Sequence, residues 1–238
     1  MEEKRKKPAF ESRLTPLQRT LGWIYLPLHA LVLPLLLLLY DSVRAPQTNA
    51  VTVNLIYYAL GIVFVLAVML RYLRAEYDVL LDRLPGCILT ALLGMAILYA
   101  LNTVAAILTV MLDSVLSNPN DEAVLELASM DIGVMRALSV FIAPIVEEVL
   151  FRGVLFGSLR RRSRGWAYVL SAVAFGLYHV WQAAVLSGRP EMLLYAVQYV
   201  PIAVVLAWCY ERSGSLWTGI FYHMAYNALS FSLLEMIL

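Results

Sequence analysis

Long apolar runs leave this chain few ways to fold. About 20 consecutive, mainly apolar residues are what a helix needs to cross the hydrocarbon core of a bilayer. Seven such stretches can be marked out: Leu21–Tyr40, Thr52–Leu73, Gly86–Leu112, Val134–Gly157, Trp166–Leu186, Glu191–Tyr210 and Ser215–Leu238. Inside lipid a helix satisfies all of its own backbone N–H and C=O groups. The expectation is therefore an all-α, polytopic transmembrane helical bundle of about seven spans. Composition points the same way. Of 238 residues, 61% are hydrophobic and 15% are charged, whereas a soluble domain is nearer half and a quarter. Leu21–Tyr40 is too long for the apolar core of a signal peptide and ends in no small-x-small cleavage site, so it reads as a retained span.

The chain divides into a basic N-terminal segment (1–20), a region with three spans and a polar connector (21–133), and a final region with four spans (134–238). Within the connector Asp113–Gly133, the SNPNDE stretch reads as a loop, followed by a short interfacial helix around Glu122–Met130. Positive charge alternates between connectors. Lys4, Arg5, Lys6, Lys7, Arg13 and Arg19 precede the first span. Arg71, Arg74 and Arg83 follow the second, and Arg160, Arg161, Arg162 and Arg164 follow the fourth. The intervening connectors hold only Arg44 and Arg189. Basic connectors stay in the cytoplasm, so the N-terminus is expected there and the 113–133 connector outside. Trp23, Trp166, Trp208 and Trp217 lie near span ends and read as interface anchors. A net charge of +1 gives no field that would attract nucleic acid. Cys87 and Cys209 sit apart in apolar stretches and read as small buried hydrophobes.

Against this background the polar residues inside the spans stand out, because an ionisable group at mid-membrane costs several kcal/mol and marks function. The fourth span holds PIVEEVLFR, with Glu147, Glu148 and Arg152. The fifth holds FGLYH, ending at His179, and the seventh holds HMAYN, with His223 and Asn227 one helical turn apart. The sixth adds Gln198 near Pro201. At about 1.5 Å per residue from the cytoplasmic end, Glu147, His179, His223 and Asn227 fall at roughly 15, 20, 12 and 18 Å. Three helices of alternating direction thus bring polar groups to one level. Glu148 and Arg152 are spaced i, i+4 in the favourable order for an ion pair, which leaves Glu147 free for chemistry. Pro144 removes a backbone donor just before the pair and frees the carbonyl of Leu138, Val140 or a neighbour. His29, beside Pro27, reads as a packed or interfacial histidine.

A carboxylate and an imidazole flanking one water can make it nucleophilic, and hydrogen-bond donors can hold the oxyanion that forms on attack at a peptide carbonyl. Glu147 with His179 suits the first task, and His223 with Asn227 suits the second. No GxSxG motif is present and neither cysteine neighbours a histidine, so no covalent nucleophile is expected. Glu147, His179 and His223 are also a sufficient ligand set for a catalytic zinc with a fourth water, and the spacing alone leaves that alternative open.

The motifs EEVLFR, FGLYH and HMAYN, in this order, resemble those of the CAAX-protease and bacteriocin-processing family, also called the Abi family. The resemblance covers roughly 134–238 and implies an intramembrane endopeptidase of the bacterial plasma membrane with a four-helix catalytic core. It implies that Glu147 and His179 activate water, that His223 and Asn227 form the oxyanion hole, and that Glu148 and Arg152 support them. It favours a glutamate-dependent mechanism without a metal cofactor. The partners it implies are membrane lipids and a membrane-associated peptide or protein, such as a prenylated tail or a bacteriocin or signalling peptide. A proton-coupled transporter, or a non-catalytic immunity or scaffold protein, would use the same residue types differently. The charge pattern predicts that a reporter fused after Arg164 reads cytoplasmic and one inserted at Asn118–Asn120 reads external. The reverse result in an alkaline phosphatase and fluorescent protein fusion series would overturn the orientation.

Overall fold

Apolar sequence and helical backbone coincide throughout the computed structural model, which describes residues 10–44, 49–111 and 118–236. These residues form eight helical rods: α1 (16–44), α2 (50–82), α3 (Leu84–Met111), α4 (Pro119–Met130), α5 (132–160), α6 (Arg164–Ser187), α7 (Pro190–Ser213) and α8 (Leu216–Glu235). Local chemistry sets several of the ends. Thr15 and Gln18 form a reciprocal capping box with Pro16 in the first turn of α1. Asn49 caps α2, and Ser163 caps α6.

Two expected boundaries differ. Helix α2 continues past Leu73 to Asp82 and meets α3 across Arg83 alone. The 119–122 part of the SNPNDE stretch is not a loop but the first turn of α4. Asn118 accepts the N–H of Asn120, Pro119 opens the helix, and Asp121 and Glu122 occupy the N-terminal turn, where acids complement the helix dipole. Residues 112–117 and the last two residues of the seventh expected span lie outside the described residues.

Five stretches are long and apolar enough to cross a membrane: Pro16–Tyr40, Ala50–Asp82, Leu84–Val104, Arg164–Ser187 and Pro190–Ser213. The chain is thus a polytopic helical membrane protein. Helices α5 and α8 fall outside that set because Arg136, Glu147, Glu148 and Arg152, and His223 and Asn227, dilute their apolar character. Packing compensates. Helix α5 runs through the interior, with Val146, Val149, Leu150, Val154 and Phe156 fully buried against α1, α2, α6, α7 and α8. Outward faces of α1, α2 and α3 expose Leu36, Leu39, Leu60, Val63, Leu66 and Leu92, a surface that lipid would cover. His29 is fully buried, stacked between Tyr25 and Tyr57. Both cysteines are buried and unpaired with each other.

The start of α8 is fixed by Glu76, a buried carboxylate near the end of α2, beyond the end of the span expected from sequence. It accepts the backbone N–H of Leu216 at 2.9 Å and a bond from Arg13 at 3.2 Å, with the Tyr210 hydroxyl at 3.4 Å. The backbone carbonyl of Glu76 accepts from Ser215 Oγ at 2.6 Å. Between α7 and α8 the chain turns at Gly214, whose φ of +76° favours glycine, and whose carbonyl accepts from Arg13. A carboxylate at a helix N-terminus satisfies a free backbone donor and complements the dipole. Glu76→Ala should therefore lower thermal stability in detergent by about 1–3 kcal/mol, the cost of buried donors left without an acceptor. Glu76→Gln, which keeps one acceptor, should lose less; equal melting temperatures for Glu76→Ala and the parent would refute this anchoring.

Candidate active site

The site is built outward from α5. Backbone hydrogen bonding between Leu138 and Ile142 widens to the i→i+5 pattern, and the N–H of Ala143 reaches the carbonyl of Leu138. The next bond in that series would run from residue 144 to the carbonyl of Ser139, and Pro144 has no N–H to make it. The freed Ser139 carbonyl instead accepts Asn227 Nδ2 from α8 at 2.9 Å. A proline in α5 thus creates the acceptor that orients the asparagine of the third motif. A second widened stretch, Glu148–Phe156, carries the rest of the first motif; such stretches are frequent at functional sites.

Glu148 and Arg152 are fully buried and paired at 3.0 Å. Arg152 also donates to the carbonyl of Ala203 on α7 at 3.3 Å and lies 4.1 Å from the centre of the Phe175 ring on α6, a cation–π contact. The Glu148 oxygen that faces Arg152 also faces His223 Nδ1 of α8, at 3.1 Å. One ion pair therefore ties together four helices.

Glu147 points away from that pair. Its Oε2 lies 3.9 Å from His179 Nε2 and 3.9 Å from His223 Nε2. Hydrogen bonding fixes how the two rings present themselves. His179 Nδ1 lies 2.8 Å from the carbonyl of Phe175, which can only accept, so Nδ1 carries a proton and Nε2 is the nitrogen turned toward Glu147. His223 donates through Nδ1 to the Glu148 carboxylate, and its Nε2 likewise faces Glu147.

The structure thus brings together Glu147, His179 and His223. Asn227 lines the same cavity, with one amide N–H committed to Ser139. The cavity has a volume of about 750 Å³. Several of its residues were not singled out from sequence. Tyr199 stacks on His179 with ring centres 4.3 Å apart, and its hydroxyl donates to Asn118 Oδ1 at 3.0 Å. Asn118 in turn donates to Gln198 at 2.9 Å. Tyr178, inside the FGLYH motif, sets its ring edge-on to His179 and shares a hydrogen bond with Tyr57 at 3.1 Å. The same motif's Gly176 is needed for close approach: a Cβ there would stand 2.5 Å from the carbonyl oxygen of Ala196. Only glycine lets the first part of α7 press against α6 and bring Tyr199 to the imidazole. Among the described residues no three His, Cys, Asp or Glu side chains are arranged to hold a metal ion.

Fold and site together define a class: a polytopic helical membrane protein with a carboxylate–imidazole cluster enclosed among its helices. Residues 131–229, which contain all three motifs and make up less than half of the chain, match the family model described as Type II CAAX prenyl endopeptidase Rce1-like. It is 28% identical over 109 residues to a curated protein of Bacillus subtilis (strain 168) named "Putative membrane peptidase YdiL"; the match takes in 45% of this chain and 40% of that relative's length. No solved structure gives a significant match.

The two neighbouring carboxylates differ in what they contact, and this predicts different costs of substitution. Glu148→Gln or Arg152→Ala strands a buried charge and should cost about 3–5 kcal/mol of stability. Glu147→Gln breaks no ion pair with an arginine and keeps the side-chain volume, so its melting temperature in detergent should stay within a few degrees of the parent. An unfolding Glu147→Gln protein alongside a stable Glu148→Gln protein would invert the two roles.

Proposed function

We propose that this chain is an intramembrane endopeptidase that cleaves membrane-associated peptides or proteins with a water activated by Glu147 and His179. The observation that carries the reading is the shared approach of the His179 and His223 Nε2 atoms to Glu147 Oε2, each at 3.9 Å, inside a cavity large enough for a peptide segment. That separation is too long for a direct hydrogen bond and suits a shared water. The seven-span arrangement, with α4 at the outer surface, α5–α8 as the catalytic core and the N-terminus in the cytoplasm, is part of the same proposal.

In this mechanism the water gives a proton to Glu147, with His179 Nε2 accepting a second hydrogen bond. Its oxygen forms a bond to the carbonyl carbon of the scissile peptide. The carbonyl π electrons move to oxygen, and this oxyanion is held by donors from His223 and Asn227. His223 can donate through Nε2 only when both ring nitrogens carry protons, a cation for which Glu148 is the counter-ion at Nδ1. Asn227 offers the amide N–H that Ser139 does not use. Collapse of the tetrahedral intermediate breaks the C–N bond, and the proton taken by Glu147 goes to the leaving amine. Arg152 takes no proton; it holds Glu148, and through it His223, in place.

Peptides released by membranes that contain the parent protein, compared by mass spectrometry with those from Glu147→Gln membranes, should include products absent from the variant. Purified parent protein should cleave those substrates in detergent, and chelation should not abolish the activity. His223→Ala and Asn227→Ala should reduce turnover by about 10²–10³ with a smaller change in apparent affinity, because a donor to an oxyanion acts mainly in the transition state. An active Glu147→Gln protein would overturn the assignment of the base. Changes confined to apparent affinity would make His223 and Asn227 substrate contacts instead.

A further inference from the structure

The cavity and a cluster of arginines occupy opposite ends of the bundle, while Arg136, paired with Glu235, and Arg189, paired with Glu191, stand at the cavity's end. At the other end, Arg13 binds Glu76 and the Gly214 carbonyl, and the Arg83 guanidinium stands 3.4 Å from the Cβ position of Gly214. Arg160 and Arg164 both pair with Glu211 near the end of α7. The start of α1, the end of α2, the α5–α6 turn and the α7–α8 turn therefore meet in a single basic rim. By the positive-inside rule this rim is cytoplasmic.

Helices α1, α2, α5, α6, α7 and α8 line the cavity from about mid-helix to the end farther from that rim. Helix α1 contributes from Pro34 onward, α2 only up to Tyr58, and α5 only up to Glu147. Helix α6 contributes from Phe175 onward and α8 from His223 onward, while α4 stands at the mouth with Asn118, Asn120 and Asp121. Between the Glu147–His179–His223 level and the basic rim the interior is packed: Leu150, Phe156, Leu206, Tyr210, Leu216 and Ile220 are all 0% exposed. The cavity lining contains no Lys or Arg among the described residues; its charged side chains are Glu147 and Asp121, and its mouth is otherwise rich in amides and tyrosines.

From this placement we infer that the site receives its substrate from the non-cytoplasmic face, as a peptide segment exposed at the outer surface of the membrane, and not as a lipid-modified tail in the cytoplasm. The inference rests on reading the cavity as the peptidase site, but the side from which the cavity opens can be measured without activity. Full-length Gln182→Cys, which places a thiol in the cavity wall, and Arg161→Cys, at the basic rim, would be expressed in bacterial cells and converted to spheroplasts. These would be treated with a membrane-impermeant maleimide before and after permeabilisation. Cys87 and Cys209 are buried, and the parent chain reports their background.

The expected result is labelling of Gln182→Cys in intact spheroplasts and of Arg161→Cys only after permeabilisation. Labelling of Gln182→Cys only after permeabilisation would overturn the inference. A second arm maps the peptides whose release depends on Glu147. Their cleavage points should fall in segments outside the cytoplasm, and cleavage points confined to cytoplasmic tails would also overturn it. Outside labelling without any Glu147-dependent product would support the access side while refuting the peptidase reading, so the two failures are distinguishable.

Discussion

The buried pair of Glu148 and Arg152 is the interaction on which the rest of the structure depends. Two charges with no solvent exposure lose several kcal/mol of hydration each, and neither can remain in the interior without partners. Their partners lie on other helices: the Phe175 ring on α6, the Ala203 carbonyl on α7 and His223 on α8. Satisfying the pair therefore assembles four helices in one arrangement. It also sets the His223 ring so that its other nitrogen faces Glu147. Glu148 thereby holds the ring that faces its neighbour Glu147.

The backbone of α5 is as important as its side chains. A regular α-helix around residue 144 would use the carbonyls that the widened turns release. Pro144 withholds the one donor that would have claimed the Ser139 carbonyl, and Asn227 takes its place. Helix α8 is thus held at two points: at its N-terminus by Glu76 and at Asn227 by the Ser139 carbonyl. It is not among the stretches long and apolar enough to cross a membrane, and these bonds add to its packing.

On the other side of the site, His179 is held between the carbonyl of its own helix and the ring of Tyr199. The Tyr199 hydroxyl reaches Asn118, the residue that caps α4. The helix at the mouth of the cavity is therefore connected through two hydrogen-bonded or stacked contacts to the imidazole nearest the proposed water. Close packing at Gly176 makes this possible, because the first part of α7 has to pass within contact of the α6 backbone to deliver Tyr199.

Much of this was legible in the sequence, for a definite reason. Hydrophobic run length, capping residues and i, i+4 spacing are local properties, and lipid leaves a backbone almost no alternative to helix. Five of the expected spans, the Glu148–Arg152 pair and the candidate set of Glu147, His179, His223 and Asn227 all follow from neighbours within a few residues of each other or from motif order. The first turn of α4 was legible too, in Asn118, Pro119 and the two acids that follow, although composition alone made it look like a loop. What the sequence could not supply are the contacts between residues far apart in the chain. Glu76 looks like a connector acid until it meets the start of α8. Tyr199 is one more aromatic residue until it stacks on His179, and Ser139 has no distinguishing mark until Asn227 finds its carbonyl. The side on which the cavity opens is likewise a property of which helix halves spread and which pack. Those outcomes were decided by tertiary structure, because a buried polar group is stable only where a partner from elsewhere in the fold reaches it.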